Sequence, residues 1–566
     1  MLSIRKIGVI SRTYRHLSRY RQILAVLLKH GFGELIESLK IDQTLEVGLH
    51  LISRRKAAAR EERLTRPQRV RLVLEELGPT YIKLGQVLST RPDLVPPEFI
   101  EELAKLQDRV PPFPFEEAEA LIRRELGGPI AERFEHFETE PVASASIGQV
   151  HRARLKDGEA VAVKLRRPAI RATVEVDLEI MLHLATLAER HVEELALHRP
   201  VRIVEEFARV LEKELDFGIE AANMERIAQA FLDDATVYIP AVFRDLTTAG
   251  VLTTEYIEGI KITDIAAIEA AGGDRRVLCA RGAELILKQV FQHGFFHADP
   301  HPGNIFALPG NVIALVDFGM VGVVDRQTRE LFAELVDSVV RRSEQRAAQA
   351  LLKLTSWETP PEMRPFEREL ADFMGRHLYR PLGEIEIGRL LAELLQIATR
   401  FRLRLPPDIF LMLKAVTSVE GIGRTLDPGF DMVAAAAPFI ERVMLERFAP
   451  QRITEDVSEI TLRLFHFLQQ FPRDLLEIAG LLRQQKLVVP IENRGLEKTL
   501  ATHDRISNRI SFAIVIAALV VGSALIVISR TPPLFYGISL IGIIGFSAAA
   551  LMGVWLLIAI LRKGKL

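Results

Sequence analysis

At 566 residues the chain is too long for one hydrophobic core, so several domains are expected. Its 73 basic and 74 acidic side chains leave a formal net charge of −1, which argues against a general nucleic-acid binder. A single cysteine, Cys279, excludes an intramolecular disulfide and fits a reducing compartment.

Residues 1 to 30 carry Arg5, Lys6, Arg12, Arg15, Arg19, Arg21 and Lys29 without an acid. The apolar run Ile23 to Leu28 is too short to span a bilayer and lacks a signal-peptide pattern. Two readings stand for this arm: a basic helix resting on anionic lipid, or a solvated basic segment. From Thr65 the pattern turns helical. Tyr81, Leu84 and Leu88 recur at helical spacing, and Lys83 and Gln86 share a face. Prolines at 92, 96 and 97 end that helix, and another begins near Phe99.

Ala143-Ser144-Ala145-Ser146-Ile147-Gly148-Gln149-Val150-His151 stands where a phosphate-covering loop belongs. Ala160-Val161-Ala162-Val163-Lys164 follows, and it reads as a strand directing Lys164 at nucleotide phosphates. A G-x-G-x-x-G loop is absent; alanine and serine in its place predict a stiffer loop. In the segment Glu212 to Asn223, Glu220 is the expected carboxylate partner of Lys164. Glu214 and Asp216 would diverge on a regular helix. Val251 to Gly259 reads as a strand and a turn, with backbone around Glu255 and Ile257 placed for adenine. Val277 to His293 reads as a long helix.

His297-Ala298-Asp299-Pro300-His301-Pro302-Gly303-Asn304 must be a loop because of its prolines. The same prolines break the helix on which His293, His297 and His301 would form a zinc site. Val312 to Val316 is a short β-branched strand leading to Asp317-Phe318-Gly319. Asp followed by Asn five residues later, then Asp-Phe-Gly, resembles the catalytic and metal-binding loops of kinases. That resemblance makes Asp299 the acid-base or orienting carboxylate and Asn304 and Asp317 the Mg²⁺ ligands.

Lys83-Leu84-Gly85-Gln86, an Ala-rich loop, Glu214-Leu215-Asp216 and the Asp299 and Asp317 motifs, in that order, resemble the UbiB family of atypical kinase-like proteins. The resemblance covers roughly residues 65 to 325. It implies an α+β, bilobed protein-kinase-like fold with an N-terminal helical extension, a C-terminal helical region and a two-helix transmembrane hairpin. It further implies that Lys83 and Gln86 lie near Glu214 and Asp216 at the mouth of the site, where the extension packs over the cleft. ATP or ADP with Mg²⁺ is the implied cofactor set. The implied role is ATPase-like support of ubiquinone biosynthesis, with quinone precursors and their enzymes as partners.

No Ala-Pro-Glu follows Gly319, and a helix begins near Asp325, leaving little room for an activation loop that docks protein substrates. Residues 326 to 505 read as a helical scaffold without a catalytic constellation. Ile510 to Ser529 and Thr531 to Leu561 are uncharged, apolar and each long enough to span a bilayer. Arg530 to Pro533 reads as a tight link between them, and Gly542, Gly545 and Ala548 to Ala550 as packing positions, with Gly553 also among the small residues. Arg505, Arg509, Arg562, Lys563 and Lys565 flank the pair and place both ends, and the kinase-like body, in the cytoplasm at an inner membrane. The sequence leaves two alternatives open. The His297 to Asn304 loop also resembles antibiotic and choline kinases, and a scaffold could use nucleotide only as a structural ligand.

Overall fold

A computed structural model describes residues 14–39; 64–446 apart from 90, 92–93, 107–109, 193–194, 196–198, 358 and 378–386; several positions between 461 and 472; and 496–563 apart from 537. The chain divides into two units, Met1–Glu455 and Asp456–Leu566.

The first unit opens on α1 (Tyr14–Lys29). Tyr20, Ile23, Leu24 and Val26 are buried in a cluster with Val73, Leu77, Val174 and Leu178. Arg19 meets the buried carboxylate of Asp177 at 2.7 Å, and Lys29 meets Glu76 at 2.6 Å. The described part of the basic segment is therefore a packed helix rather than a solvated arm. Its apolar stripe belongs to the core, Arg19 is paired with a buried carboxylate, and Lys29 is paired with Glu76 at the surface. Arg5, Lys6 and Arg12 lie outside the described residues.

Helices α2 (Arg66–Leu77), α3 (Pro79–Ser89) and α4 (Pro97–Leu103) form the rest of the extension. Thr65 and Gln68 close a reciprocal capping box that starts α2. Gly85 lets α3 approach its neighbours: a Cβ there would fall 2.2 Å from Leu106 Cδ1 and 2.8 Å from Leu74 Cδ1.

The small lobe follows: α5 (Phe115–Leu126), β1 (Phe134–Phe137), β2 (Ala143–Ser144), β3 (Gly148–Leu155), β4 (Ala160–Arg166), α6 (Ile170–His191), α7 (Pro200–Glu214) and α8 (Phe217–Ala230). After β5 (Val237–Tyr238) the chain returns to this lobe as β6 (Val251–Glu255). The sheet runs β1-β3-β4-β6, with β2 on β3, and all its pairings are antiparallel. Alternation sends Val161, Val163 and Leu165 of β4 into a core with Ala118, Leu121 and Ile122 of α5. Lys164 therefore lies on the opposite face.

The large lobe contains β7 (Ile260–Lys261), α9 (Arg275–Leu287) with a π-helical turn at Lys288–His293, β8 (Phe295–His297), β9 (Ile305–Leu308), β10 (Val312–Leu315) and β11 (Val321–Val323). Strands β5, β10, β9 and β7 form one sheet in that order, and β11 pairs with β8. Helices α10 (Arg326–Val340), α11 (Glu344–Leu354), α12 (Met363–His377), α13 (Ile387–Arg400), α14 (Pro407–Leu426) and α15 (Met432–Glu446) enclose a second apolar core that includes Phe366, Phe373 and Met412.

In the second unit, α16 (Leu496–Ile528) and α17 (Leu540–Lys563) are joined through a short hairpin, β12 (Leu534–Phe535) with β13 (Ile538–Ser539). Ile510–Ile528 and Leu540–Leu557 are long and apolar enough to cross a membrane. The link is longer than the four residues expected, because Pro532 and Pro533 start no helix and the chain turns again before Leu540. Gly542 and Gly545 sit at close approach: a Cβ at 545 would fall 2.1 Å from Ser523 Oγ, and one at 542 would fall 2.4 Å from Val527 Cγ2. Gly553 faces open space. The side chains of Arg505, Arg509, Arg562 and Lys563, and all of Lys565, lie outside the described residues.

Candidate nucleotide site

Lys164 and Glu220 meet in the cleft. Strand alternation brings Lys164 to that face, and the first turn of α8 brings Glu220. Lys164 Nζ donates to Glu220 Oε1 at 2.8 Å and Oε2 at 3.0 Å, and to Asp317 Oδ1 at 3.3 Å. Burial opposes the lysine's charge, but Asp317 and Glu220 outweigh burial and hold the ammonium above its ordinary pKa. Burial pushes the Glu220 carboxyl up to about 7, with Asp317 adding to the rise and Lys164 opposing it. Partial desolvation in the cleft would also raise Asp317, but the Lys164 charge, the Gly319 amide and Lys83 carry it below the usual carboxylate range.

Two residues beyond β10, Asp317 takes a left-handed conformation, φ +62°, which Asp tolerates better than most residues. The chain reverses there, and the Gly319 amide donates to Asp317 Oδ1 at 3.2 Å. The carboxylate side chain remains 49% exposed, available to a ligand in the cleft.

The two loops are fastened to each other. Val316 N donates to the Asn304 carbonyl at 2.9 Å, and Ala298 N to the Met320 carbonyl at 3.1 Å. His297 is fully buried, with its ring 5.2 Å from that of Phe318, and its Nδ1 accepts from the Asp299 amide at 3.1 Å. Burial holds this imidazole below its ordinary pKa, so it is a neutral structural acceptor. His293, His297 and His301 lie on a π-turn, a strand and a loop respectively. The Asn304 side-chain amide makes a long contact, 3.5 Å, to the Asp299 carbonyl.

Around residues 143–151 the structure separates side chains that the sequence grouped. Ala145 N donates to the Gly148 carbonyl at 2.8 Å, closing a tight hairpin between β2 and β3. Gly148 is required by contact, since a Cβ there would fall 2.6 Å from the Leu165 carbonyl. Val150 pairs with Lys164 and shares its face. Gln149 and His151 pair with Leu165 and Val163 and face the opposite core. His151 contacts the Glu138 carbonyl at 2.8 Å and Gln149 Nε2 at 2.9 Å. Their side chains are thus turned away from the cleft, as the two-residue strand period demands. The Ser144 hydroxyl donates to the Val110 carbonyl at 2.8 Å, and Arg167 donates to the Ala145 carbonyl at 2.9 Å. The Ser146 hydroxyl is buried without a hydrogen-bond partner among the described residues. Ile147 is half-buried between two clusters.

At the strand before the turn, the Glu255 and Tyr256 amides are engaged by the Ala241 and Ala160 carbonyls at 2.9 and 3.0 Å. The Glu255 carboxylate accepts from the Tyr238 hydroxyl. Ile257 follows in the turn, partly exposed.

Glu214 and Asp216 do not share a helix. Glu214 ends α7, and Asp216 caps α8 by accepting from Gly218 N at 2.9 Å. Lys83 Nζ lies 3.2 Å from Glu214 Oε2, joining the extension to the body. Gln86 turns instead to its own neighbourhood, donating to the Leu106 carbonyl at 3.4 Å. Thus Lys83 and Glu214 come together, whereas Gln86 and Asp216 take local structural roles.

Three contributors were not legible beforehand. Asn223, one turn beyond Glu220, donates to the Phe318 carbonyl at 3.1 Å and so braces the Asp317 loop. Its i, i+3 relation to Glu220 was the available signal. Gln289 accepts from the His297 amide at 2.8 Å. Lys414, on α14 of the supposed scaffold, lies 2.8 Å from Asp299 Oδ1. No motif marks it.

Comparison with known proteins identifies the family. Residues 105–351 match the ABC1 atypical kinase-like domain, 370–431 the UbiB helical domain, and 494–562 the ABC1/UbiB kinase-like C-terminal domain. A protein of Marinobacter nauticus described as "Probable protein kinase UbiB" is 39% identical over 73% of this chain and 76% of its own length. Its namesake in Aeromonas salmonicida is 37% identical over 79% and 82%. A solved structure described as the complex of Rv3197 with erythromycin, from Mycobacterium tuberculosis, is 27% identical, covering 63% of this chain and 90% of that one at a TM-score of 0.42. The three matching family models and the Marinobacter and Aeromonas relatives lead to one conclusion: the chain belongs to the UbiB family of atypical kinase-like proteins, a family of ubiquinone biosynthesis.

Proposed function

We propose that this protein is a membrane-anchored ATPase that supports quinone biosynthesis. The observation that carries the reading is the convergence of Lys164, Glu220 and Asp317 within one set of contacts, 2.8 to 3.3 Å apart. That cluster contains the lysine, its helix carboxylate and a partly exposed metal-ligand candidate. The donor chemistry fits Mg²⁺. Asn304 and Asp317 offer hard oxygen, and among the described residues no three His, Cys, Asp or Glu side chains gather into a metal cage. Mg²⁺ suits such a sparse set because it is commonly held through one or two side-chain oxygens together with substrate phosphates. Asn304 and Asp317 would hold the ion, which supplies charge compensation at the phosphates.

The chain's own residues do the rest. Lys164, pinned by Glu220, meets the phosphates. The small-residue turn 145–148 covers them, and the backbone at Ile257 receives the base. Asp299 orients water, whose oxygen bonds to the terminal phosphorus as the bond to the leaving ADP oxygen breaks; the water proton passes to the released phosphate. The Lys83–Glu214 tie keeps the extension against the body, which favours hydrolysis over transfer to a protein. Two apolar helices would anchor the chain in the inner membrane with the catalytic body in the cytoplasm, near quinone precursors and their enzymes.

The reading is tested by quinone profiling in cells lacking the protein. Wild type should restore the quinone and Asp317→Asn should not. Equal rescue by both would contradict an ATPase role.

A further inference from the structure

Helix α14 connects the helical region with the catalytic loop. Met412, Leu413 and Ala415 are buried, so the backbone around Lys414 is fixed by core packing. One turn earlier, Phe410 is buried with the Arg91 guanidinium 5.3 Å from its ring centroid. Arg91 follows α3, so the same helix that touches the extension also delivers Lys414 to Asp299. Phe410 and Lys414 are four residues apart and share a face.

The loop His297 to Asn304 contains no lysine or arginine. Its carboxylate nevertheless meets a cation, the Lys414 ammonium at 2.8 Å from Asp299 Oδ1. The two side chains are 30% and 41% exposed, so the pair adds little to stability. Its value is geometric. A carboxylate that orients water beside a polyanion needs one oxygen fixed and its own charge offset.

We propose that Lys414 is a positioning residue for Asp299. It holds Oδ1, leaves the second oxygen to direct the attacking water, and moderates repulsion between the carboxylate and the phosphates. This rests on the hydrolytic reading above, and it gives the helical region a part in the chemistry of the cleft.

The test is steady-state ATP hydrolysis by the detergent-solubilised full chain. Lys414→Met should lower kcat by about 10- to 100-fold, with KM for ATP changed by less than about threefold because nucleotide contacts remain. Lys414→Arg should recover most of the loss. The melting temperature should stay within about 2 °C of wild type; if Lys414→Met melts earlier, Lys414→Gln is the variant to read. An active wild type with an equally active Lys414→Met overturns the inference alone. So does a variant that raises KM at unchanged kcat. A wild type without turnover overturns the hydrolytic reading and this inference with it.

Discussion

Lys83 of the extension and Glu214 at the end of α7 form an ion pair of 3.2 Å with both side chains largely buried. The contact is an ion pair rather than an aligned hydrogen bond, since Glu214 Oε2 has no hydrogen-bond partner among the described residues. Removing Lys83 leaves the Glu214 carboxylate charged in a poorly solvated place. Lys83→Met should therefore cost roughly 3 kcal/mol of unfolding free energy. The double variant Lys83→Met/Glu214→Gln should recover part of it, measured by denaturant unfolding. A neutral single variant would contradict the pairing.

Gly85 makes a second, steric prediction about the same extension. Gly85→Ala places a methyl 2.2 Å from Leu106 Cδ1 and 2.8 Å from Leu74 Cδ1. Those leucines are buried and have little room to yield. Overpacking should cost about 1–3 kcal/mol, visible as a lower denaturation midpoint at unchanged slope. An unchanged midpoint would mean that α3 does not pack tightly against Leu74 and Leu106.

These two residues also show what the sequence made legible. Lys83 and Gly85 were read as one motif, but one is an ion-pair partner and the other a contact point. The ordered motifs identified the lobes, the lysine–carboxylate pair and the Asp317 turn, because each is local chemistry written in a few residues. Side-chain facing within residues 143–151 was hidden until strand register was known: one residue of shift exchanges Val150 with Gln149. The break at Leu215–Asp216 was hidden because a capping Asp mid-segment looks like any acidic helix residue. Lys414 was hidden because its partner is remote in sequence and lysines are usually solvated.

His151 gives a pH prediction. Its Nδ1 faces a carbonyl oxygen and so carries the proton, while Nε2 accepts from Gln149; burial holds its pKa below the ordinary value. The folded pKa is depressed, so the unfolded chain takes up the proton first as pH falls. The contribution is complete well above the unfolded pKa of about 6.5 and is lost progressively as pH falls through it toward the folded value. His151→Phe should remove that part of the acid dependence in unfolding curves between pH 7.5 and 5.5. An unchanged dependence would show that His151 is not its source.

The apolar pair in the second unit predicts a contrast between two glycines. Gly545→Leu must displace Ser523, because a Cβ already falls 2.1 Å from its Oγ, whereas Gly553→Leu meets open space. In proteoliposomes, Gly545→Leu should make the C-terminal helices more sensitive to protease and Gly553→Leu should not. Equal behaviour would argue that the helices do not pack through this face.

The most direct measurement is ATP turnover by the purified full chain as wild type and as Asp317→Asn. The substitution keeps the side chain's size and one oxygen but removes the negative charge that faces Lys164 and would bind magnesium. Wild type should hydrolyse ATP and Asp317→Asn should lose at least about 100-fold of that rate. Equal turnover by the two proteins would contradict the assignment of this cleft as the nucleotide site.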